Sequence, residues 1–418
     1  MRAGPAVAVF VLLAVSVVAV SGVFAIGPGA ATVDPAAEPA DRCPTGPTEE
    51  TRERVDELNA SDGPRIAGLY PDPTTDGNVG KFLVLSVPDP SVLADHEWTI
   101  TDGHTTATLP NETDAGRIAL SMDPDRAGAM TDRPVAGLEG HLQLSADGDE
   151  LALQRDGELV DRVAYEDATE GEFWYRAEGE GGEWWPRGAT CRPVETAADG
   201  EATTFVLPDA SDLLLDVLAD ADDRILLAGY TFTDEDVAEE LHAAMDRGVS
   251  VSVLIEGGPV DGVPEPAEPL LADLADAGAT VRVVGGEGDR YASHHPKYAV
   301  VDDRALVTTE NWKPAGIGGA GSRGWGVVAE DPAIAADLAT VFRADAAGRD
   351  TSTWADYREN ATFVESDPPS DPIGGDRAPE THAVEETELL LAPDNAEGRL
   401  VKLIDSAEEE LLVTCSHD

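Results

Sequence analysis

The sequence predicts a multidomain chain. An all-β sandwich comes first, then an α/β domain in which helices flank a mixed sheet, then the truncated start of a second copy of that domain. Three observations predict it. Between about Arg65 and Cys191, short alternating apolar and polar runs are separated by Asp-Gly dipeptides, which favour the tight turns of β-hairpins. From about Thr203 the pattern changes to strands alternating with amphipathic helices, as in α/β domains. Near the end, the phrase Val206-Leu207-Pro208-Asp209 returns as Leu390-Leu391-Ala392-Pro393-Asp394, an internal repeat of about 185 residues.

The chain opens with Arg2 and has no further charge until Asp34, with an apolar run from about Ala6 to Ile26. Residues 1–31 therefore read as an export segment. The run reaches the roughly 20 residues that a membrane span needs, so a cleaved signal peptide and a retained membrane anchor both stay open. Small residues at Val23-Phe24-Ala25 and Ala30-Ala31 would suit a peptidase. Either way the bulk of the chain is expected outside the cytoplasm, extracellular or at the cell surface. Residues 32–64 form a tether.

The sandwich is expected over 65–192. Its strands are Phe82-Leu83-Val84-Leu85, Trp98-Thr99-Ile100, Leu142-Gln143-Leu144, Leu151-Ala152-Leu153 and Val160 to Tyr165, with turns at Asp102-Gly103, Asp147-Gly148 and Asp156-Gly157. Trp98, Trp174, Trp184 and Trp185 are expected in its core. In an exported protein disulfides persist, and Cys43 with Cys191 would clamp the two ends of this region, leaving Cys415 over. Sequons at Asn59, Asn111 and Asn360 are compatible with glycosylation.

Composition bounds the function. Against 82 acidic residues stand 28 basic ones, a formal charge of −54, while 42% hydrophobic content argues for folded domains. Such self-repulsion is tolerable where salt is concentrated, since the Debye length falls to about 3 Å near 1 M. The pattern is that of an extreme halophile, haloarchaeal in type. No basic nucleic-acid-binding face is visible, so a polyanionic substrate must be bound locally.

A short acidic linker leads into the α/β domain, expected over 203–347. Thr204 to Leu207 reads as a strand, Ser211 to Ala221 as a helix, and Arg224 to Tyr230 as a strand buried on both faces. Thr233 is expected to cap a helix from Asp234 to Arg247, with Asp236 in the reciprocal position and Gly248 ending it. Val249 to Ile255, the helix Leu270 to Ala277 and the strand Thr280 to Val284 follow. Residues 362–386 are an acidic, Pro-rich linker, and 387–418 begin the second copy, with a helix from Leu400 to Ala407 and a strand at Glu410 to Val413.

The chemistry-bearing motif is His295-Pro296-Lys297, then four residues, then Asp302. It follows the Gly-rich stretch Gly285 to Asp289 and is expected to enter a strand. A second strand, Ala305 to Thr308, delivers Thr309-Glu310-Asn311-Trp312 beside it, and two of the four lysines, Lys297 and Lys313, sit here. In a strand, alternation puts His295 and Lys297 on one face, where an imidazole can attack phosphorus while an ammonium holds the non-bridging oxygens. A neutral imidazole is the required nucleophile. Lys297 and Asn311 would meet charge developing on the phosphoryl oxygens. The bland readings are that His294 is a loop residue, His242 structural and His417 an exposed terminal residue.

On these residues, 203 to about 347 resembles one repeat of the phospholipase D superfamily. The resemblance implies His295 as the nucleophile that becomes phosphohistidine, Lys297 and Asn311 as phosphate ligands, Asp302 as a supporting carboxylate, and Glu310 as a candidate to orient the histidine. The family's Gly-Ser before the asparagine is replaced by Thr309-Glu310, so Thr309 would supply the hydroxyl. The resemblance implies no metal or cofactor. It also implies a second motif, supplied either by a missing C-terminal half or by a second chain in a homodimer. Earlier in the chain, Leu69-Tyr70-Pro71, Glu97 to Gly103, Gly148 to Leu153, Val160 to Val163 and Trp174 resemble a lamin-tail domain, an immunoglobulin-like sandwich. Lys81 departs from it, standing where that family more often has an acid.

The expected function is an exported phosphodiesterase acting on phospholipid head groups or a related phosphodiester. An extracellular nuclease of the same superfamily and an inactive cell-surface binding protein are the alternatives. A membrane contact through the N-terminus remains open.

Overall fold

The computed structural model describes residues 11–14 and 63–407, apart from 76, 78, 90, 112–115, 177–180, 287, 320 and 367–374. Residues 65 to 186 form two sheets. One has six strands in the order Gly182–Pro186, Glu172–Arg176, Arg65–Tyr70, Phe82–Val87, Gly116–Ser121 and Val135–Gly137. The other has five, in the order Glu158–Glu166, Gly148–Arg155, Trp98–Thr101, Thr106–Thr108 and Glu139–Gly140. Ile66, Leu83 and Leu85 from the first meet Trp98, Ile100, Leu151 and Leu153 from the second in one core, the layered arrangement that alternating strands produce.

The Asp-Gly signal is realised at Asp156-Gly157. Both residues have positive φ, 53° and 83°, and they join two paired strands as the primed hairpin turns require. Trp98 and Trp174 are buried as expected, whereas Trp184 and Trp185 are half-buried. Leu142-Gln143-Leu144 corrects the reading: both leucines are buried, but the segment is irregular and in neither sheet. Its alternation came from packing alone, and the Leu144 carbonyl accepts from the Lys81 ammonium instead of a neighbouring strand.

The α/β domain is built on a ten-stranded sheet. Its order is Val11–Ala14, Glu380–Leu391, Glu195–Leu207, Gly324–Ala329, Arg304–Thr308, Tyr298–Val301, Arg224–Gly229, Ser250–Glu256, Thr280–Val284 and Thr351–Thr353. Arg224–Gly229, Ser250–Glu256 and Thr280–Val284 are mutually parallel, and Tyr298–Val301 lies antiparallel to the first. Helices Ser211–Ala219, Glu235–Arg247 and Ala267–Ala277 pack on one face, and Pro332–Ala346 on the other. Each face has its own core, so the central strands are buried on both sides, as their continuous apolar runs demand.

Several boundaries move. The cap of helix Glu235–Arg247 is Asp234, whose side chain accepts from the Val237 N–H, not Thr233; Gly248, at φ 96°, ends the helix as expected. The acidic linker before Thr203 and the end of the Pro-rich linker are strands. Glu195–Leu207 and Glu380–Leu391 pair antiparallel from Glu195 opposite Leu389 to Thr204 opposite Glu380, and backbone pairing overrides the low β propensity of their acidic residues. Both echoed phrases therefore end a strand and lead into a helix, Ser211–Ala219 and Ala396–Asp405. The expected strand at Glu410 to Val413 and most of the apolar N-terminal run lie outside the described residues. Val11–Ala14 pairs parallel with Glu388 to Leu391, and among the described residues no helix is long and apolar enough to cross a membrane. Cys191 is disulfide-bonded, and its partner, for which Cys43 is the expectation, lies outside the described residues. Asn111 and Asn360 are exposed; Asn59 lies outside the described residues.

The sandwich rests on the Gly-rich loop that precedes the histidine motif. Thr74 Oγ1 donates to the Asp289 carbonyl at 2.8 Å, Arg187 donates to the Gly288 carbonyl, and Arg349 pairs with Asp132. Gly288, at φ 83°, is required here, since a Cβ would stand 2.5 Å from Met130 of the sandwich.

Candidate active site

Residues 293–297 are irregular, and the strand begins one residue after the motif lysine, at Tyr298. The ladder nonetheless reaches Lys297, whose carbonyl accepts from the Thr308 N–H at 3.0 Å. His295 and Lys297 remain on one side, and the Lys297 Nζ lies 3.0 Å from both ring nitrogens of His295. An ammonium so placed disfavours a second positive charge on the ring and so favours the neutral imidazole. Lys297 is buried, at 8% exposure, and His295 is half-buried. The Tyr230 ring stands edge-on to His295, with centroids 4.2 Å apart and planes at 72°, and Lys297 Nζ lies 5.7 Å from the same ring's centroid.

The sheet brings Asn311 to this edge. Trp312 locks the turn: its indole N–H donates to the Ala228 carbonyl at 2.9 Å, and its own carbonyl accepts from Thr233 at 2.7 Å. Gly229 makes the approach feasible, since a Cβ there would be 2.4 Å from the indole. Asn311 is therefore fixed beside the end of Arg224–Gly229, from which Tyr230 emerges, and its side-chain oxygen is buried with no hydrogen-bond partner among the described residues. Thr309 is exposed, and its hydroxyl accepts from the Trp325 N–H at 3.0 Å. Glu310 is buried over Gly316 and Gly324, and its carboxylate accepts from the Ser322 hydroxyl at 2.8 Å.

Asp302 lies away from the histidine. It sits past the other end of Tyr298–Val301, on the order of 15–20 Å from the histidine at the rise of an extended chain. Its carboxylate accepts from the backbone N–H groups of Asp222, Asp223 and Arg224 at 2.8, 2.9 and 2.8 Å. Burial alone would raise its pKa, but these three donors outweigh it and hold the carboxyl below its ordinary value. Asp302 is a staple of the sheet and does not touch the reacting groups.

Residues 214–346 match the family described as cardiolipin synthase, PLD-like domain. They form a phospholipase D-like domain. Among solved structures, the chain is similar to Nuc, a phospholipase D family member from Salmonella typhimurium, at 20% identity over 38% of this chain and 99% of that one, with a TM-score of 0.33. It is also similar to NucT from Helicobacter pylori, at 18% identity over 36% and 95%, TM-score 0.30. A third is phosphatidylserine synthase from Haemophilus influenzae, at 15% identity over 45% and 44%, TM-score 0.30. None of the curated proteins matches the chain.

The phospholipase D-like domain also uses residues that sequence reasoning missed. His294 is 4% exposed: its N–H donates to Glu256 Oε2 at 2.7 Å, and its Nε2 lies 3.2 Å from Asp345 Oδ2. The Tyr291 hydroxyl donates to the other Asp345 oxygen at 3.0 Å. These contacts fix the backbone next to His295, so His294 is a buried, hydrogen-bonded residue of the loop. Burial pushes the Glu256 carboxyl up, against the pull of the Gly258 and His294 N–H donors. The only signal for Glu256 was its place at the end of a parallel strand, where α/β sheets collect their sites. Among the described residues, no group of His, Cys, Asp or Glu is arranged to hold a metal ion.

Proposed function

We propose that the phospholipase D-like domain is a phosphodiesterase in which His295 attacks phosphorus and forms a phosphohistidine that water then hydrolyses. The observation that carries this is the Lys297 ammonium 3.0 Å from both nitrogens of the His295 ring, at the edge of the sheet where the parallel strands end. Nucleophile and anion ligand are thus preassembled, and the Asn311 amide NH2 adds a hydrogen-bond donor on the same edge. Asp302 contributes only by holding the strand in place.

The finer reading is that of an exported enzyme acting on phospholipid head groups, with the sandwich as a lamin-tail-like accessory module. A formal charge of −54 supports this over duplex binding, because phosphate neutralisation by cations supplies most affinity for nucleic acid. The mechanism needs a second acid, such as the histidine of a partner chain, to protonate the leaving alcohol.

The test is hydrolysis of bis(p-nitrophenyl) phosphate by the full chain in molar KCl with chelator present, with mass spectrometry of the quenched protein. Turnover or a covalent phosphoryl adduct on His295, both lost in His295→Ala, is expected. An unmodified His295 together with no turnover overturns the reading. Phosphatidylcholine vesicles against single-stranded DNA then decide the substrate.

A further inference from the structure

We propose that Tyr230 is a positioning residue of this site, a fixed aromatic wall that holds the His295 imidazole and the Lys297 ammonium against each other. The inference rests on the phosphodiesterase reading for its catalytic meaning, though not for its geometry. Tyr230 follows the buried strand Arg224–Gly229, and its ring touches the two groups that do the chemistry: His295 at 4.2 Å between centroids, Lys297 Nζ at 5.7 Å. An aromatic face attracts a cation within about 6 Å, and the attraction grows as water is excluded. Lys297, at 8% exposure, is such a desolvated cation.

The ring is held by the end of strand Arg224–Gly229, and its hydroxyl is an additional tie to a neighbouring loop. The Tyr230 hydroxyl accepts from the Val260 N–H at 2.6 Å, and burial together with the Glu256 charge pushes its pKa up, so it stays a neutral phenol. Ser293, two residues before the nucleophile, is its other side-chain partner. The loop that carries Val260 is pinned in turn: Glu256 Oε1 accepts from Gly258 at 2.7 Å, and the Tyr357 hydroxyl donates to the Gly257 carbonyl at 2.5 Å. Trp312, which holds Asn311, packs on Gly229, the residue before Tyr230. One strand end therefore sets the distance between nucleophile, ammonium and amide.

The ring, not the hydroxyl, is assigned the work, and this separates the role from a merely structural one. Tyr230→Phe should keep kcat within about two- to threefold of wild type, whereas Tyr230→Leu should lose about five- to thirtyfold in kcat with little change in KM. NMR titration of the histidine ring protons reads the same contact without turnover. Freed from the aryl face, the ammonium no longer stays on the imidazole, so the His295 midpoint should rise by about half a unit to one unit in Tyr230→Leu and stay in Tyr230→Phe. A leucine variant with unchanged kcat and an unchanged His295 titration overturns the proposal. So does a phenylalanine variant as impaired as leucine. If wild type shows neither turnover nor adduct but the leucine variant alone moves the titration, the phosphodiesterase reading fails and the positioning role stands.

Discussion

Strand Tyr298–Val301 carries a polar cluster at each end, and the two are built differently. Past its end, Asp302 is saturated by three backbone donors and pinned in a left-handed turn at φ 51°. Before its start, His295 and Lys297 face each other across 3.0 Å, with the Asn311 oxygen buried and unsatisfied at the same edge. A buried acceptor left without a protein partner costs about 1–3 kcal/mol, and it calls for a donor such as water or a hydroxyl, whereas the phosphoryl oxygens of a diester are met by the Lys297 ammonium and the Asn311 amide N–H groups. The saturated end ties the sheet together; on the proposed function, the other end is where substrate binds. The first way to break this comparison is His295→Ala. Hydrolysis of bis(p-nitrophenyl) phosphate should fall by at least about 10³-fold, as for loss of a nucleophile, while thermal unfolding moves by no more than about 0.5 kcal/mol. A large stability loss in that variant would make His295 structural.

Lys297→Met should cost about 10²–10³ in kcat, the range for removing a preorganised donor from a developing oxyanion. Asn311→Ala should cost less, about tenfold, because its amide supplies a neutral hydrogen bond where Lys297 supplies a charge. Asp302 should behave in the opposite way. Asp302→Ala should lower stability by about 1–2 kcal/mol, comparable to losing a helix cap, and leave kcat of the folded fraction unchanged. Asp302→Asn should lose less, since asparagine tolerates the left-handed backbone and keeps one acceptor oxygen. A kcat defect in either Asp302 variant at full folding would return that residue to the chemistry.

The same contrast explains what was legible in the sequence. That His295, Lys297 and Asn311 share one edge was legible because two adjacent strands at this spacing end side by side. The helices ending at Gly248 and Gly278 and the strand Thr280–Val284 were legible because each carries its own local signal. Asp302 stands in the motif just as His295 does, and spacing alone does not reveal that the chain carries it away from the site. Tyr230, Glu256, His294 and Asp345 were not legible, because their partners are far along the chain: Asp345 meets His294 from helix Pro332–Ala346, and no local pattern encodes that contact. The acidic strands Glu195–Leu207 and Glu380–Leu391 failed for the same reason, since each needs the other to be a strand.

The smallest expected effect concerns Asp289, in the loop between the sandwich and the site. Burial first, then the Glu256 and Asp350 charges, push its carboxyl from 3.8 to about 7, against the opposing pull of Arg187, and its Oδ1 is buried without a partner among the described residues. The folded chain therefore holds this proton while the unfolded chain releases it. Below about pH 4 both states are protonated and Asp289 contributes no pH dependence. Between about 4 and 7 the unfolded state alone ionises, so stability falls as pH rises; above about 7 both are ionised and the penalty is constant. Asp289→Asn removes the penalty. The variant should match wild type near pH 4, gain in melting temperature up to about pH 7, and hold that gain beyond. The difference should persist in molar salt, because a carboxylate removed from solvent is poorly screened. A gain that vanishes at high salt would place the Asp289 charge at the surface, in a loop open to water.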